Sequence, residues 1–168
     1  MQELMYKEPD NFYQELYDIC LKSGVKLILT QSLSKAPISG AARWLNENPV
    51  IQLSSRYKWN DVFWFTFFHE IGHILLHGKK DFFLEDVKYR EKDIAKENEA
   101  DEFAIDKTFN LYKENEFLKS GIISAKRIND FSKENKINPA VIVGRLQCRG
   151  KLKFSEMNNL RKRFELSN

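Results

Sequence analysis

Residues 62–77 read Val-Phe-Trp-Phe-Thr-Phe-Phe-His-Glu-Ile-Gly-His-Ile-Leu-Leu-His, a run that is apolar on nearly every face of a helix. A helix of that kind belongs in the interior of a protein. It nevertheless carries His69, Glu70 and His73, and burying such groups is costly unless something pairs with them. Any fold open to this chain therefore packs around one central helix and brings partners to its polar residues. Asn60 or Asp61 is expected to cap that helix, accepting from the free N–H groups of its first turn, and Gly78 to end it. No apolar run in the chain reaches membrane length.

Within the helix, His69-Glu70-Ile71-Gly72-His73 sets two imidazoles four residues apart, on one face and within reach of one metal ion. Glu70 lies beside that face. Zinc-assisted hydrolysis needs such a set: a metal that acidifies a water molecule and polarises a carbonyl, and a carboxylate that takes the proton and passes it on. A third ligand has to come from His77 or from a carboxylate elsewhere. His77 falls two turns beyond His69, which makes coordination by all three histidines difficult, so it is expected at the cleft edge or behind the ligands. The carboxylates stand in Glu97-Asn98-Glu99-Ala100-Asp101-Glu102-Phe103-Ala104. Glu97 and Asp101 share a helix face, so one can ligate the metal while the other orients a ligand histidine through its distal N–H. Glu99 points elsewhere on an ideal helix and is the alternative ligand. Ala100, Phe103 and Ala104 suit close packing against the first helix.

The rest of the pattern is helical with a small sheet, which makes the chain α+β. A helix opened by Pro9 and Asp10 carries Phe12, Leu16, Ile19 and Cys20 at helical spacing and stops at Gly24. Val25–Thr30 reads as a strand and residues 31–40 as a loop. Two further strands, 41–45 and 50–54, are joined antiparallel through Asn46-Glu47-Asn48-Pro49. A charged, irregular segment is expected over 79–92. Helices follow from Asp93 towards Phe117, from Ser124 to Glu134, and from Asn138-Pro139 to Gly150. A short terminal segment holds Phe154, Met157 and Leu160. The aromatic run Phe63 to Phe68 reads as core packing that locks the histidine rotamers. An exposed edge of the 41–54 sheet, with Ser39 and Gly40 along the cleft, would take an extended peptide by strand addition. Arg43, Arg56 and Tyr57 are weak candidates for stabilising an oxyanion.

Hydrophobic residues make up 42% and charged residues 30% of the 168, which suits one domain over 1–168 without a helix-turn-helix region. A formal charge of +3 is too mild to imply nucleic acid. The basic series Arg145, Arg149, Lys151, Lys153, Arg161, Lys162 and Arg163 reads as a solvated surface, because no aromatic residues interleave it to stack bases. Cys20 and Cys148 are read as core or near-core thiols. Two cysteines and no secretory signal fit a reducing, cytoplasmic setting.

Several blocks carry a resemblance: Pro37 to Trp44, Ile51 to Ser54 with Arg56-Tyr57, and Phe63 to Phe68 leading into the histidine motif. Leu75 to Lys80, Glu97 to Ala104 and Pro139 to Gln147 add to it. Together they resemble the ImmA/IrrE family of zinc-dependent metallopeptidases. The likeness is greatest to the peptidase-like part of proteins in which that domain follows a helix-turn-helix repressor region, as in HigA-type antitoxins. The resemblance implies a zincin-like fold and one zinc ion held by His69, His73 and Glu97. It implies Glu70 as the catalytic base, with Asp101 in the paired acidic position. It also implies a regulatory protein, such as a DNA-binding repressor, as substrate. The alternative is a non-proteolytic metal-binding module of a toxin–antitoxin or repressor system, with a toxin protein as partner. Neither reading calls for a membrane or for direct nucleic-acid binding. Where relatives carry Leu-Ile-Pro or Leu-Met-Pro after the acidic motif, this chain has Asp106-Lys107-Thr108-Phe109-Asn110, a departure expected to alter the cleft wall.

Overall fold

The apolar run forms the central helix. The structure, a computed structural model, describes residues 2–7, 12–30, 39–54, 59–77, 83–84 and 91–163. Its first half contains α1 (Gln2–Tyr6), α2 (Tyr13–Lys22), β1 (Lys26–Thr30), β2 (Gly40–Leu45), β3 (Asn48–Ser54) and the central helix α3 (Asn60–Leu76). Then come β4 (Phe83–Leu84), α4 (Glu91–Thr108), α5 (Leu111–Leu118), α6 (Ala125–Asn135), α7 (Pro139–Cys148) and a 3-10 turn at Asn158–Leu160. The fold is α+β and mostly helical, as a zincin-like chain is expected to be. Among the described residues no helix is long and apolar enough to cross a membrane. The expected helix opening at Pro9 and Asp10, the loop over 31–38, Gly78 and most of the 79–92 segment lie outside the described residues.

The sheet has the order β1-β3-β2-β4. Asn46 and Glu47, with φ of 46° and 70°, make the tight turn that returns β2 onto β3. β1 runs parallel to β3 on the other side, pairing Leu27 with Ile51 and Leu29 with Leu53. The 41–54 hairpin is therefore internal to the sheet. The outer edge of β2 carries β4 at Ala41 and Ala42, which corrects the expectation of an open edge there.

One core lies between the sheet and helices α2 and α3. Phe12, Leu16, Leu27, Ile51, Leu53, Phe63, Trp64, Phe67 and Phe68 meet in it. The Phe12 ring packs 4.9 Å from Phe63 and 5.0 Å from Trp64, so the aromatic run is core, as its apolar pattern suggests. A second core gathers Phe109, just after α4, with Phe117, Ile128, Phe131, Ile142 and Leu146 from α5, α6 and α7. Ser124 caps α6 by accepting from Arg127 N, and Asn138 caps α7 by accepting from Ala140 N. The Asp106-Lys107-Thr108-Phe109-Asn110 run carries the end of α4 at Thr108. Phe109 enters the second core, and Asn110 caps α5 by accepting from Lys113 N.

α3 joins the two cores. Its cap is Trp59, without a side-chain hydrogen bond, rather than Asn60 or Asp61. Asp61 is instead buried against Arg161, whose Nη2 lies 2.8 Å and Nε 3.1 Å from its carboxylate oxygens. Gly144 of α7 packs on that carboxylate so closely that a Cβ there would overlap Asp61 Oδ2. Arg145 and Arg149 both reach Glu114, itself 2% exposed, at 2.9 and 3.3 Å. Arg145 and Arg161 are thus largely buried partners of acids far away in sequence, while Arg149 reaches Glu114 from an exposed position. Cys20 is buried as expected, but Cys148 is exposed, because it closes α7 on the helix's outer side.

Candidate metal centre

Two small residues decide how closely α3 and α4 approach. An added Cβ at Gly72 would sit 3.1 Å from Ala100 Cα and 3.4 Å from Ala100 Cβ. Gly72 lies between the two motif histidines, and Ala100 lies between Glu97 and Asp101. The close crossing therefore brings the acidic face of α4 against the imidazoles.

His69 Nε2 and His73 Nε2 face each other at 2.9 Å. Glu97 Oε2 lies 3.2 Å from His69 Nε2, and Glu97 Oε1 lies 3.5 Å from His73 Nε2. One donor atom from each of the three residues falls within 4.8 Å of the others. A tetrahedral ion with bonds of about 2.0–2.1 Å separates its ligand atoms by about 3.3 Å. The observed spacings bracket that value, so the donor set fits a divalent ion of zinc's size. Both histidines are buried, while the Glu97 side chain keeps 20% of its surface exposed.

Asp101 Oδ1 lies 2.8 Å from His69 Nδ1. An ionised carboxylate accepts only, so His69 holds a proton on Nδ1 and, when neutral, turns the lone pair of Nε2 towards His73 and Glu97. The electrostatics are those of a cation site. Burial opposes a charge on His69. Its hydrogen bonds to Asp101 and Glu97 and the nearby Glu70 and Asp101 charges outweigh burial and hold its pKa at about 10. Burial likewise pushes the Glu97 carboxyl up, but hydrogen bonds with His69 and His73 bring it down to about 2. Burial lowers His73, against the pull of Glu97. Without a metal ion, a proton on His69 supplies the positive charge that this group of carboxylates attracts.

The other expected residues fall outside the donor cluster. His77 leaves the helix with φ −114° and ψ 150°, and its Nε2 lies 3.0 Å from Lys96 O. It ties the end of α3 to α4 from behind the ligands. Glu99 is exposed and lies 3.8 Å from His77 Nδ1, away from the cluster. Arg43 alternates with Gly40 and Ala42 along β2 and so faces the side of the sheet away from α3, which removes it from the oxyanion candidates. Arg56 and Tyr57 lie outside the described residues. Glu70 is 1% exposed, and its carboxylate rests against Gly40 at the start of β2. Sequence reasoning placed Gly40 along the cleft without seeing that contact, and it overlooked Gly72. A glycine inside an otherwise strong helical pattern was the available signal for the latter.

None of the curated proteins matches the chain. Residues 22–111 match the family described as Peptidase_M78, IrrE N-terminal-like domain. The match spans β1 to the end of α4 and takes in the histidine pair, Glu70, Glu97 and Asp101. It covers more than half of the residues, and so the chain belongs to the M78 peptidase family with its IrrE N-terminal-like domain.

Proposed function

We propose that the protein is a zinc-dependent endopeptidase that cleaves a regulatory protein, with a DNA-binding repressor as the substrate class. The observation that carries the reading is the convergence of His69, His73 and Glu97 beside a buried Glu70, in a chain of a peptidase family. His69, His73 and Glu97 would hold the ion. Zinc in that position supplies Lewis acidity to a water molecule and to the scissile carbonyl. Asp101 fixes the tautomer and orientation of His69. Glu70 accepts the proton of the attacking water and delivers it to the departing amine. The buried aromatic side chains of α3 hold the histidine rotamers for that geometry.

The substrate class rests on the resemblance of the sequence blocks. Two observations count against nucleic acid as the direct ligand. The α6–turn–α7 pair has the proportions of a helix-turn-helix, yet Ala140 to Gly144, Leu146 and Gln147 of α7 are buried and unavailable to a groove. Arg145, Arg149 and Arg161 are committed to Glu114 and Asp61.

The test measures zinc content and cleavage of candidate helix-turn-helix repressors, by wild type and by Glu70→Gln. Cleavage by the wild type, lost in the variant with zinc retained, supports the reading. Zinc retention with no cleavage by either protein replaces it with the metal-binding module.

A further inference from the structure

We propose that Gly40 is a positioning residue for Glu70: the side chain it lacks is the slot in which the catalytic carboxylate is held. The inference rests on the peptidase reading of the site and deepens it.

Gly40 is the first residue of β2, pairs with Leu53, and has no positive φ. Its backbone conformation is open to any residue, so conformational freedom does not explain a glycine here. Space does. A Cβ at position 40 would overlap Glu70 Oε1 outright, lie 2.6 Å from Thr66 Cγ2 and lie 3.1 Å from Glu70 Cδ. Thr66 stands one turn before Glu70 on α3 and is 4% exposed, and its β-branched side chain is stiff. The strand cannot retreat freely, because β3 holds it by the antiparallel ladder and Ser54 N donates to Ser39 O at 2.8 Å. The Glu70 carboxylate, at the end of a rotatable side chain, yields furthest, and the contact with Thr66 has to ease as well.

Relieving the overlap to ordinary carbon–oxygen contact moves the carboxylate on the order of 1 Å. A misplacement of that size costs about 10²-fold in rate. The nearest atoms to that Cβ belong to Glu70 and Thr66 and to none of His69, His73 and Glu97, so the metal ligands are expected to keep their places. A larger residue at position 40 therefore removes the base function while leaving the metal bound.

The experiment compares wild type, Gly40→Ala, Glu70→Ala and the double variant. With a helix-turn-helix repressor that the wild type cleaves as substrate, Gly40→Ala is expected to bind one zinc, lose about 10²-fold in kcat and keep KM within about twofold of the wild type. It is expected to add nothing to the loss already caused by Glu70→Ala. A second readout needs no activity. In the metal-free proteins Gly40→Ala lowers Tm less when Glu70 has been truncated, since the colliding group is gone and Thr66 is common to all four. If Gly40→Ala alone fails to fold, recovery of folding in the double variant supports the contact, and failure of both overturns it. Wild-type kcat in Gly40→Ala, or an equal Tm drop in both backgrounds, also overturns it. A wild type that cleaves nothing defeats the peptidase reading instead, and the Tm comparison still decides the Gly40–Glu70 contact.

Discussion

Gly72→Ala is a test of sign. In an ordinary helix interior, replacing glycine by alanine stabilises by about 0.5–1 kcal/mol through backbone entropy. Here the new methyl would lie 3.1 Å from Ala100 Cα, a backbone atom of the neighbouring helix, and 3.4 Å from Ala100 Cβ and O. The neighbour can give way only if α4 moves off by a few tenths of an ångström. Overpacking of this kind costs about 1–3 kcal/mol, so the net expectation is a loss of about 1 kcal/mol. The same displacement carries Glu97 away from the histidines by more than the ~0.2 Å tolerance of metal–ligand distances. Zinc affinity should fall along with stability. Urea unfolding of the metal-free protein gives the first quantity, and competition with a chromophoric chelator the second. A variant more stable than the wild type and equally tight for zinc would refute the argument that this close crossing sets the site.

Two other outcomes follow from the charged groups. Arg161→Met leaves Asp61 buried without its cation, which should cost about 3–5 kcal/mol in denaturant unfolding. Burial already lifts Asp61 above the usual carboxylate range, and Arg161 pulls it back. Without Arg161 its pKa rises further, the folded state holds that proton longer than the unfolded one, and the variant's stability should fall as pH rises above about 4. At the metal centre, zinc has to displace the proton on His69, whose pKa is held at about 10. Calorimetry in buffers of different ionisation enthalpy should show about one proton released per ion, and apparent affinity should rise about tenfold per pH unit between pH 7 and 9.

What the sequence shows of the fold is what short-range pattern determines. The apolar run gave α3, the alternation around Asn46–Pro49 gave the hairpin, and Ser124 and Asn138 marked helix starts through the N–H groups they accept from. The failures have a common cause. Asp61 looked like a cap because its true partner, Arg161, is 100 residues away. Among the C-terminal cations, Arg145 and Arg161 looked solvated like their exposed neighbours because Glu114 and Asp61 are remote in the chain. The parallel pairing of β1 with β3 depends on a crossover, and no local alternation records it.

The same distinction runs through the site. Helical spacing within one segment is enough to put His69 and His73 together, and to put Glu97 and Asp101 on one face of the next. It leaves open which acid meets which nitrogen, because that depends on the height and rotation at which two helices cross. Gly72 and Ala100 settle it. Gly72 sits between the histidines and Ala100 between the acids, so the tight contact of the two helices falls within the span of both pairs. From that point Asp101 reaches His69 Nδ1, on the outer side of its ring, while Glu97 reaches the gap between the two Nε2 atoms. Glu99 is turned away from the crossing by its place on α4 and meets His77 instead. The division between the acid that faces the donor cluster and the acid that orients a histidine is thus a consequence of two residues chosen for their small size, and neither carries any chemistry of its own.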